Sequence, residues 1–447
     1  MIKFNSKSLN HLIKLFSSLS LIIFLLIFIW FFRYRFIITV STDEINGMKS
    51  AVLEGYTDRM FYFQNDTIKF YFKSKSTQNN IYIDRIISPY TYDRVYQNSF
   101  GKIEQKINTN QSEFGCNWEE SLSFIIGSSF KDGYYLVILE DDLNNEFKFP
   151  IIINDNNKNS KIALLSPIST WNAYNPWGGK SLYKNIIDSS SVYFVSTQRP
   201  NTLLLEGKHN MQVEANIFNW FEDNYDINIY PDNILDYHPN ILSDASIIIL
   251  SYHCEYISSK TYNKLISLVK SSGKSMISIG ANQIYWKTKW DSDFKTMECR
   301  KDLTFFKDTY SLGGMWKHNF KNESKFLGVR YSNPGYGTYA PYKITNLNHW
   351  LLDNIQIGPD SLFGKKGLDS LGLSGLETDK VTKFSKDNVE IIAKGTNPGN
   401  GGADMIFKLY DYDNAILSTG SIQSGSGLGT DIIFTKIIKN FTDKYYK

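Results

Sequence analysis

Hydrophobic residues follow two successive patterns along this chain. From about Gly55 to Asn154 they alternate with polar residues in short segments separated by Asn-, Asp- and Gly-bearing turns, as in TIKFYFKS, IYIDRII, GYYLVILED and FKFPIII. Alternation with a period of two indicates strands that bury one face. Several such strands within about 100 residues are typical of a β-sandwich. We therefore predict an immunoglobulin-like β-sandwich domain over residues 50–155.

Beyond the polar linker NDNNKNSK the pattern changes to apolar runs that alternate with helical periodicity. The segments ASIIILS, KTYNKLISLVKS and KSMISIG predict a strand, a helix capped by Ser258 or Ser259 and ended by Gly273, and a second strand. An all-apolar strand followed by a crossover helix indicates a parallel sheet covered on both faces. MQVEANIFNWFEDN and TDIIFTKIIKNFTDKYY predict further helices, and AILSTGS a later central strand. Residues 160–447 are therefore predicted to form a three-layer α/β domain.

The N-terminal segment contains a long apolar stretch. Residues 15–32, LFSSLSLIIFLLIFIWFF, carry no charge and approach the minimum length that spans a bilayer. A signal peptide is the alternative, but its apolar core is shorter and is followed by small residues, whereas Arg33, Tyr34 and Arg35 follow here. We predict a cytoplasmic stub and a single-pass membrane anchor over residues 1–40. The slight excess of lysines before the anchor favours an extracytoplasmic, periplasmic location for the main domains.

Composition narrows the classes of partner. The 48 Lys and Arg residues nearly balance the 45 Asp and Glu residues, and no basic cluster is present, so nucleic acid is not an expected partner. Aromatic residues make up 15% of the 447 residues. The three cysteines, Cys116, Cys254 and Cys299, are far apart and form no CxxC motif, which supports neither a zinc knuckle nor a disulfide framework. Whether one disulfide forms stays open.

Candidate functional residues follow the predicted parallel strands. Ligands bind outside the carboxyl ends of such strands, so the loops STWNAYNPWGG, SYHCEYIS, GANQIYW and GSIQSGSGLGT are expected at one edge of the sheet. His253 and Glu255, two residues apart, could act there as proton shuttle and as metal ligand or base. The alternative is a histidine bonded to a neighbouring strand and a glutamate that caps the next helix. The aromatic residues expected to line the pocket are Trp171, Trp177, Tyr285 and Trp286.

The same loops carry a resemblance to a known family. TWNAYNPWGGKSLY, SYHCEYIS, GANQIYW, GLSGLETD and ADMIFKLYDYDNAILSTGSIQSGSGL resemble, in order, the motifs of the N,N-dimethylformamidase large (beta) subunit family. GYTDRMFYFQNDTIKFYFKS resembles the sandwich segment that precedes them in that family. The likeness covers nearly everything after about Glu54. It implies a domain similar to the class I glutamine amidotransferase fold, with GAN where the nucleophilic cysteine of amidotransferases would stand.

The resemblance also implies a site for amide hydrolysis. The family is thought to use a mononuclear iron held by two tyrosines and a glutamate, which assigns Tyr174 and Glu255 as ligands here. By the same resemblance His253 and Glu377 would transfer protons and Asn282 would donate to the oxyanion. The second tyrosine lies in a segment like SFDRPY, whereas STQRPN places Asn201 there. An amide is a weaker ligand than a phenolate, so the site is expected to hold iron less tightly, to prefer another ion, or to hold none.

Two functions are expected from these observations. The first is a membrane-anchored, metal-dependent amidohydrolase that acts on a small amide or glycan-derived substrate. The second is a non-catalytic protein whose aromatic residues bind a surface carbohydrate, since aromatic faces pack against the C–H patches of sugars. The family's enzyme uses a small partner subunit. The sequence leaves open whether this chain has such a partner and whether it forms a homo-oligomer.

Overall fold

The computed structural model describes residues 52–106, 110–156, 160–182, 192–203, 210–319, 321–358, 360–385 and 387–447. These residues belong to one compact unit. They contain twenty-five strands, β1 to β25, and six α-helices, α1 to α6, numbered along the chain. The division at residue 155 into two domains stays a prediction.

Two facing sheets form the first part of the fold. One contains β1 (Leu53–Thr57), β3 (Thr67–Ser74) and β6 (Leu122–Ile125). The other contains, in spatial order, β2 (Phe61–Phe63), β8 (Glu146–Asn154), β7 (Gly133–Asp141), β4 (Asn79–Ser88) and β5 (Thr91–Phe100). Every second residue of β3, including Ile68, Phe70 and Phe72, is fully buried in the core between the sheets. The strands predicted from alternation in this region are therefore confirmed.

A nine-stranded sheet forms the centre of the remaining chain. Its strands are, in spatial order, β11 (Ile227–Pro231), β9 (Ile162–Ser166), β12 (Ile247–Tyr252), β14 (Ser275–Gly280), β25 (Ala415–Ser418), β24 (Asp404–Leu409), β23 (Val389–Gly395), β19 (Tyr342–Ile344) and β20 (Leu362–Phe363). The first five strands are parallel, and from β25 onward each strand pairs antiparallel with the next. Strands β9, β12 and β14 of the parallel half are buried along their whole length, as the sequence pattern indicated.

The predicted fold class, a three-layer amidotransferase-like domain on a parallel sheet, is wrong. Four of the nine central strands are antiparallel, and strands outnumber α-helices by twenty-five to six in the part of the chain that the structure describes. Only residues 410–414 connect β24 to β25. A parallel pair needs a crossover of about a dozen residues or more, so this short link can join only antiparallel neighbours. The fold is β-rich, with several sheets.

Smaller sheets flank the central one. A four-stranded sheet contains β10 (Phe194–Ser196), β16 (Thr296–Cys299), β15 (Trp286–Trp290) and β13 (Tyr256–Ser258). Two-stranded sheets pair β17 (Arg330–Ser332) with β22 (Thr378–Lys380), and β18 (Tyr339–Ala340) with β21 (Ser374–Gly375). Strands β13 and β22 each follow a candidate site residue by one position, so these sheets fix the loops at the edge of the central sheet.

The six helices are α1 (Gln111–Phe114), α2 (Ile168–Tyr174), α3 (Met211–Asn224), α4 (Ser259–Lys270), α5 (Glu323–Leu327) and α6 (Ile432–Tyr445). The three longest begin at side-chain caps, and one of these is the predicted cap Ser258, whose hydroxyl accepts from the Thr261 N–H. The predicted helices α3, α4 and α6 are confirmed. Helix α3 is tied to the sandwich by the ion pair between Arg85 and Glu222, 2.7 Å.

The predicted membrane anchor, residues 15–32, lies outside the described residues. Among the residues that are described, no helix is long and apolar enough to cross a membrane. The predicted single-pass membrane localisation is therefore corrected, because the described structure contains no membrane-spanning helix. Cys116, Cys254 and Cys299 are buried free thiols, so the disulfide left open by the sequence does not form.

Candidate functional site

The turn after β9 carries the first candidate residue. Helix α2 is held at its start by Asp232, whose carboxylate accepts from the N–H and the hydroxyl of Ser169, at 3.1 and 2.8 Å. Tyr174 is the last residue of α2, and its side chain is partly buried. We call residues 169–180 the aromatic loop.

Arg199 holds the aromatic loop in place through hydrogen bonds to its backbone. Its buried guanidinium donates to the carbonyl oxygens of Asn172, Trp177 and Lys180, at 3.3, 2.7 and 3.1 Å, and to that of Ser196 at 2.9 Å. Burial lowers the pKa of Arg199 to about 9, so the group remains charged at neutral pH. No sequence feature pointed to Arg199, since a lone arginine in STQRPN carries no signal of a buried set of partners.

Thr170 joins the aromatic loop to the end of β12. Its hydroxyl donates to the carbonyl of His253 at 2.7 Å and accepts from the N–H of Glu255 at 3.0 Å. The preceding residue, Tyr252, has a left-handed φ of 53°, a conformation that is costly for a bulky residue. The strand therefore turns sharply at its end. The side chains of His253 and Glu255 enter the space next to α2.

Tyr174, His253 and Glu255 meet there. The Tyr174 hydroxyl donates to Glu255 Oε2 at 2.9 Å, and His253 Nε2 lies 3.5 Å from both of those oxygens. His253 Nδ1 is 3.0 Å from the carbonyl oxygen of Ala281. A carbonyl only accepts, so Nδ1 carries a hydrogen and Nε2 faces the other two groups. The convergence of these three side chains at the sheet edge is the central feature of the site.

Asn282 and Glu377 complete the cluster. The Asn282 amide nitrogen donates to Glu377 Oε2 at 2.9 Å and to Glu255 Oε1 at 3.4 Å. The opposite orientation of the amide would place its oxygen against two carboxylates, so the nitrogen is assigned to this side. The Asn282 backbone, at a φ of 52°, donates to the buried Asp379 carboxylate at 2.8 Å. Asp379 was also missed by the sequence analysis.

Burial and charge perturb the acids and bases of this cluster. Burial alone would lower the pKa of His253, but the bond to Glu255 and the charges of Glu377 and Glu255 outweigh it and raise that pKa to about 9. Burial raises the pKa of Glu377, which His253 opposes and Glu255 reinforces. Burial also raises the pKa of Asp379 to about 7. Perturbed groups that face one another in this way are typical of functional sites.

The predicted pocket aromatics divide into two pairs. Trp171 is fully buried, with its indole N–H donating to Glu214 at 3.0 Å, and Trp177 is buried against Trp118. Neither forms an open stacking surface. Tyr285 and Trp286 are partly buried, with ring centroids 5.3 Å apart.

Lys301 is a further group near the cluster. Its Nζ lies 4.8 Å from the ring of Trp286 and 5.1 Å from that of Tyr256. Burial lowers the pKa of its ammonium, and Glu255 opposes that shift. Lys301 could not be selected from the sequence, because no spacing connects residue 301 to the other site residues.

Asn201 does not join the cluster through its side-chain oxygen. Its Oδ1 accepts from the Leu203 N–H at 3.0 Å, and its Nδ2 is buried without a partner among the described residues. No group of three or more His, Cys, Asp and Glu side chains in the described ranges is arranged as a metal site. A cation at the cluster would therefore depend on Tyr174.

A cavity of about 460 Å³ lies elsewhere, lined by residues that include Arg59, Phe63, His238, Trp290 and Phe294. No residue of the cluster lines it. The buried acids and bases of the cluster, rather than this cavity, mark the candidate site.

The family model described as "N,N-dimethylformamidase beta subunit-like, C-terminal" matches residues 91–439, and this stretch includes every residue of the cluster. The chain belongs to this family. The dimethylformamidase resemblance seen in the loop motifs is thereby confirmed, and membership points to amidase-like chemistry. No curated protein matches the chain.

Two solved structures have remote likenesses to the chain. A β-glucosidase from Listeria innocua in complex with gluconolactone is 10% identical, with a TM-score of 0.15, over 23% of this chain and 16% of that one. A cycloisomaltooligosaccharide glucanotransferase from Paenibacillus sp., complexed with cycloisomaltoheptaose, is 7% identical, with a TM-score of 0.18, over 65% and 61%. The chain spans less than two thirds of the length of either protein, and at such TM-scores neither likeness informs the fold.

Proposed function

We propose that this dimethylformamidase-like chain hydrolyses a C–N amide bond at the cluster of Tyr174, His253, Glu255, Asn282 and Glu377. The observation that carries the proposal is the 2.9 Å bond between the Tyr174 hydroxyl and Glu255, which come from different loops of the sheet edge. Two acids, a histidine and a phenol within one buried space supply the groups that acid–base catalysis needs.

The pair of Tyr174 and Glu255 fits the cation that the family resemblance implies, mononuclear iron. Two neighbouring ligands that each bond an ion at about 2 Å lie about 3 Å apart, which matches the observed 2.9 Å between their oxygens. A phenol ionises near pH ~10, so a nearby cation favours its phenolate form. When bound, such an ion would polarise the amide carbonyl and lower the pKa of the attacking water.

Glu377 is suited to proton transfer. Its raised pKa lets the carboxyl exchange a proton closer to neutral pH than an ordinary glutamate. Hydrolysis adds water to the carbonyl carbon, breaks the C–N bond and requires a proton on the departing nitrogen, which Glu377 would deliver. Asn282 donates to both carboxylates, so in this arrangement it positions Glu255 and Glu377 instead of binding an oxyanion.

The carbohydrate-binding alternative gains no support from the aromatic residues. Two of its four stacking residues, Trp171 and Trp177, are buried in the protein. Only Tyr285 and Trp286 keep a partly exposed face.

The proposal is tested with the full chain loaded with iron(II) or zinc. N,N-dimethylformamide and a panel of N-alkyl amides serve as substrates, and release of amine is measured. We expect Glu377→Gln to lower kcat by about 10² to 10⁴-fold, the usual contribution of a general acid or base. The matched control is Glu390→Gln at an exposed position of β23, which should not change kcat. An absence of amine release from the whole panel, or equal rates for the two variants, would contradict the proposal.

A further inference from the structure

We infer that His253, through Nε2, is the third protein ligand of the cation at Tyr174 and Glu255. It takes the place of the family's second tyrosine, where this chain has Asn201. The inference rests on the proposed function and deepens it, because it changes His253 from the proton-transfer residue implied by the resemblance into a ligand. It also changes which ion the site prefers.

Asn201 lies in a segment that is bonded to the end of α2, and its side-chain oxygen is already engaged. Asn175, the residue after Tyr174, donates to the Pro200 carbonyl at 2.9 Å and accepts from the Thr202 N–H at 3.3 Å. These bonds hold residue 201 alongside the end of α2. The only ligating atom of the Asn201 side chain, Oδ1, is engaged by the Leu203 N–H, and an amide nitrogen has no lone pair to offer a metal. Position 201 is therefore buried beside the end of α2, and its side chain supplies no atom that could bind a metal.

The three remaining donors have the spacing of one face of a coordination sphere. For bonds of about 2.1 Å, neighbouring ligands lie about 3.0 Å apart in an octahedron and about 3.4 Å apart in a tetrahedron. The three separations between Tyr174 Oη, Glu255 Oε2 and His253 Nε2 are 2.9, 3.5 and 3.5 Å. The three separations therefore differ by no more than a few tenths of an ångström from those expected for ligands of one ion.

The surroundings orient the donors as the outer groups of metal sites do. A ligating histidine usually donates its other ring N–H to a carbonyl or carboxylate, which fixes the tautomer and aims the free nitrogen at the metal. His253 makes this contact with the Ala281 carbonyl at 3.0 Å. The second oxygen of Glu255 accepts from Asn282 at 3.4 Å, which holds the first toward the site.

The altered ligand set carries a different charge. Two phenolates and a carboxylate total −3, which balances a trivalent ion. One phenolate, one carboxylate and an imidazole whose Nε2 proton is released when the ion binds total −2, which balances a divalent ion. Mixed nitrogen and oxygen sets that leave positions open suit divalent iron and zinc. The structure therefore points to a divalent cation at this site.

The test uses the full chain, stripped with a chelator and reloaded with one metal at a time. Zn²⁺ binding is measured by competition with a chromophoric chelator, and Cu²⁺ serves as a probe for pulsed electron paramagnetic resonance, which detects the remote nitrogen of a coordinated imidazole. We expect one ion per chain and an imidazole nitrogen signal from the unmodified protein. His253→Ala should lower Zn²⁺ affinity at least tenfold, while the control His238→Ala, which alters the separate cavity, should not.

A second variant separates ligand loss from structural damage. If His253 compensates for Asn201, then Asn201→Tyr should restore Zn²⁺ affinity in the His253→Ala background. Binding of one Cu²⁺ without an imidazole signal, together with unchanged Zn²⁺ affinity in His253→Ala, would overturn the inference and leave the proposed function standing on two ligands. Failure of the unmodified chain to bind either ion would remove the inference, and the amine-release assay then decides separately whether the chain hydrolyses amides.

Discussion

The Arg199 contacts give a prediction that links the fold to the site. Arg199→Lys keeps the positive charge, so the cost of burying that charge largely cancels in the comparison. What changes is the reach of the donors, because the guanidinium presents N–H groups on three nitrogens and an ammonium presents them on one. Four carbonyl oxygens, on both sides of Tyr174 and on β10, accept from the fork in the native protein.

The magnitude follows from the bonds that lysine cannot make. An ammonium has three hydrogens at a single point, so at least one of the four bonds is lost, and the spread of the acceptors makes two losses the reasonable expectation. Hydrogen bonds to charged groups contribute about 1.5–3 kcal/mol each. Two such losses would lower the free energy of unfolding by about 3–6 kcal/mol. Displacement of Tyr174 by as little as ~1 Å would also lower kcat/KM by about 100-fold.

Urea unfolding followed by tryptophan fluorescence measures the change in stability, and amine release measures the change in kcat/KM. The control is Arg59→Lys, since the Arg59 side chain is 49% exposed and its surface ion pairs contribute at most about 1 kcal/mol. A loss of stability for Arg199→Lys no larger than that of the control would refute the reasoning that these four bonds hold the aromatic loop.

Three further predictions concern buried groups. Burial raises the pKa of Glu54 from its usual 4.5 to about 7, so its contribution to stability is present below pH ~4.5 and is lost as the pH rises to ~7. The loss is roughly 3 kcal/mol. Urea titrations at several pH values should show this loss in the unmodified protein and not in Glu54→Gln. Gly280→Ala, whose Cβ would lie 1.8 Å from the Tyr252 carbonyl, should cost at least about 3 kcal/mol in thermal unfolding, whereas Gly358→Ala, with nothing within 4 Å, should cost nearly nothing. Trp171→Phe should destabilise by about 1–3 kcal/mol, because Glu214 loses a donor.

Local sequence patterns predicted the elements well, and they located most of the site. Helices α3, α4 and α6 carry their own caps and apolar faces, so their existence depends little on distant contacts. Tyr174, His253 and Asn282 each follow a parallel strand, and the carboxyl ends of such strands converge. Their proximity could therefore be predicted from the order of elements alone.

The mixed parallel and antiparallel pairing of the central sheet could not be predicted in the same way, and neither could the roles of Arg199 and Asp379. β23 and β24 contain short apolar runs, IIA and MIF, that resemble those of the parallel strands. The length of the links between the strands, which distinguishes a hairpin from a crossover, is therefore the clearer signal. Arg199 and Asp379 act through backbone groups far away in sequence, and a sequence pattern does not record such partners.

The contact between the Asn201 side chain and the Leu203 N–H has a consequence for how the residue at this position can change. The codons for asparagine and tyrosine differ only in their first base, so a single-nucleotide substitution converts one into the other at this position. Replacement of Asn201 by tyrosine removes the bond between its side chain and the Leu203 N–H, a cost of about 1 kcal/mol, and places a larger ring in a buried position, which costs about 1–3 kcal/mol more. Under the proposed ligand assignment, the set with a tyrosine at this position and the set with His253 in its place therefore differ by one nucleotide and a few kcal/mol of stability. By the same assignment, one nucleotide substitution at this position would therefore change which ion the site prefers.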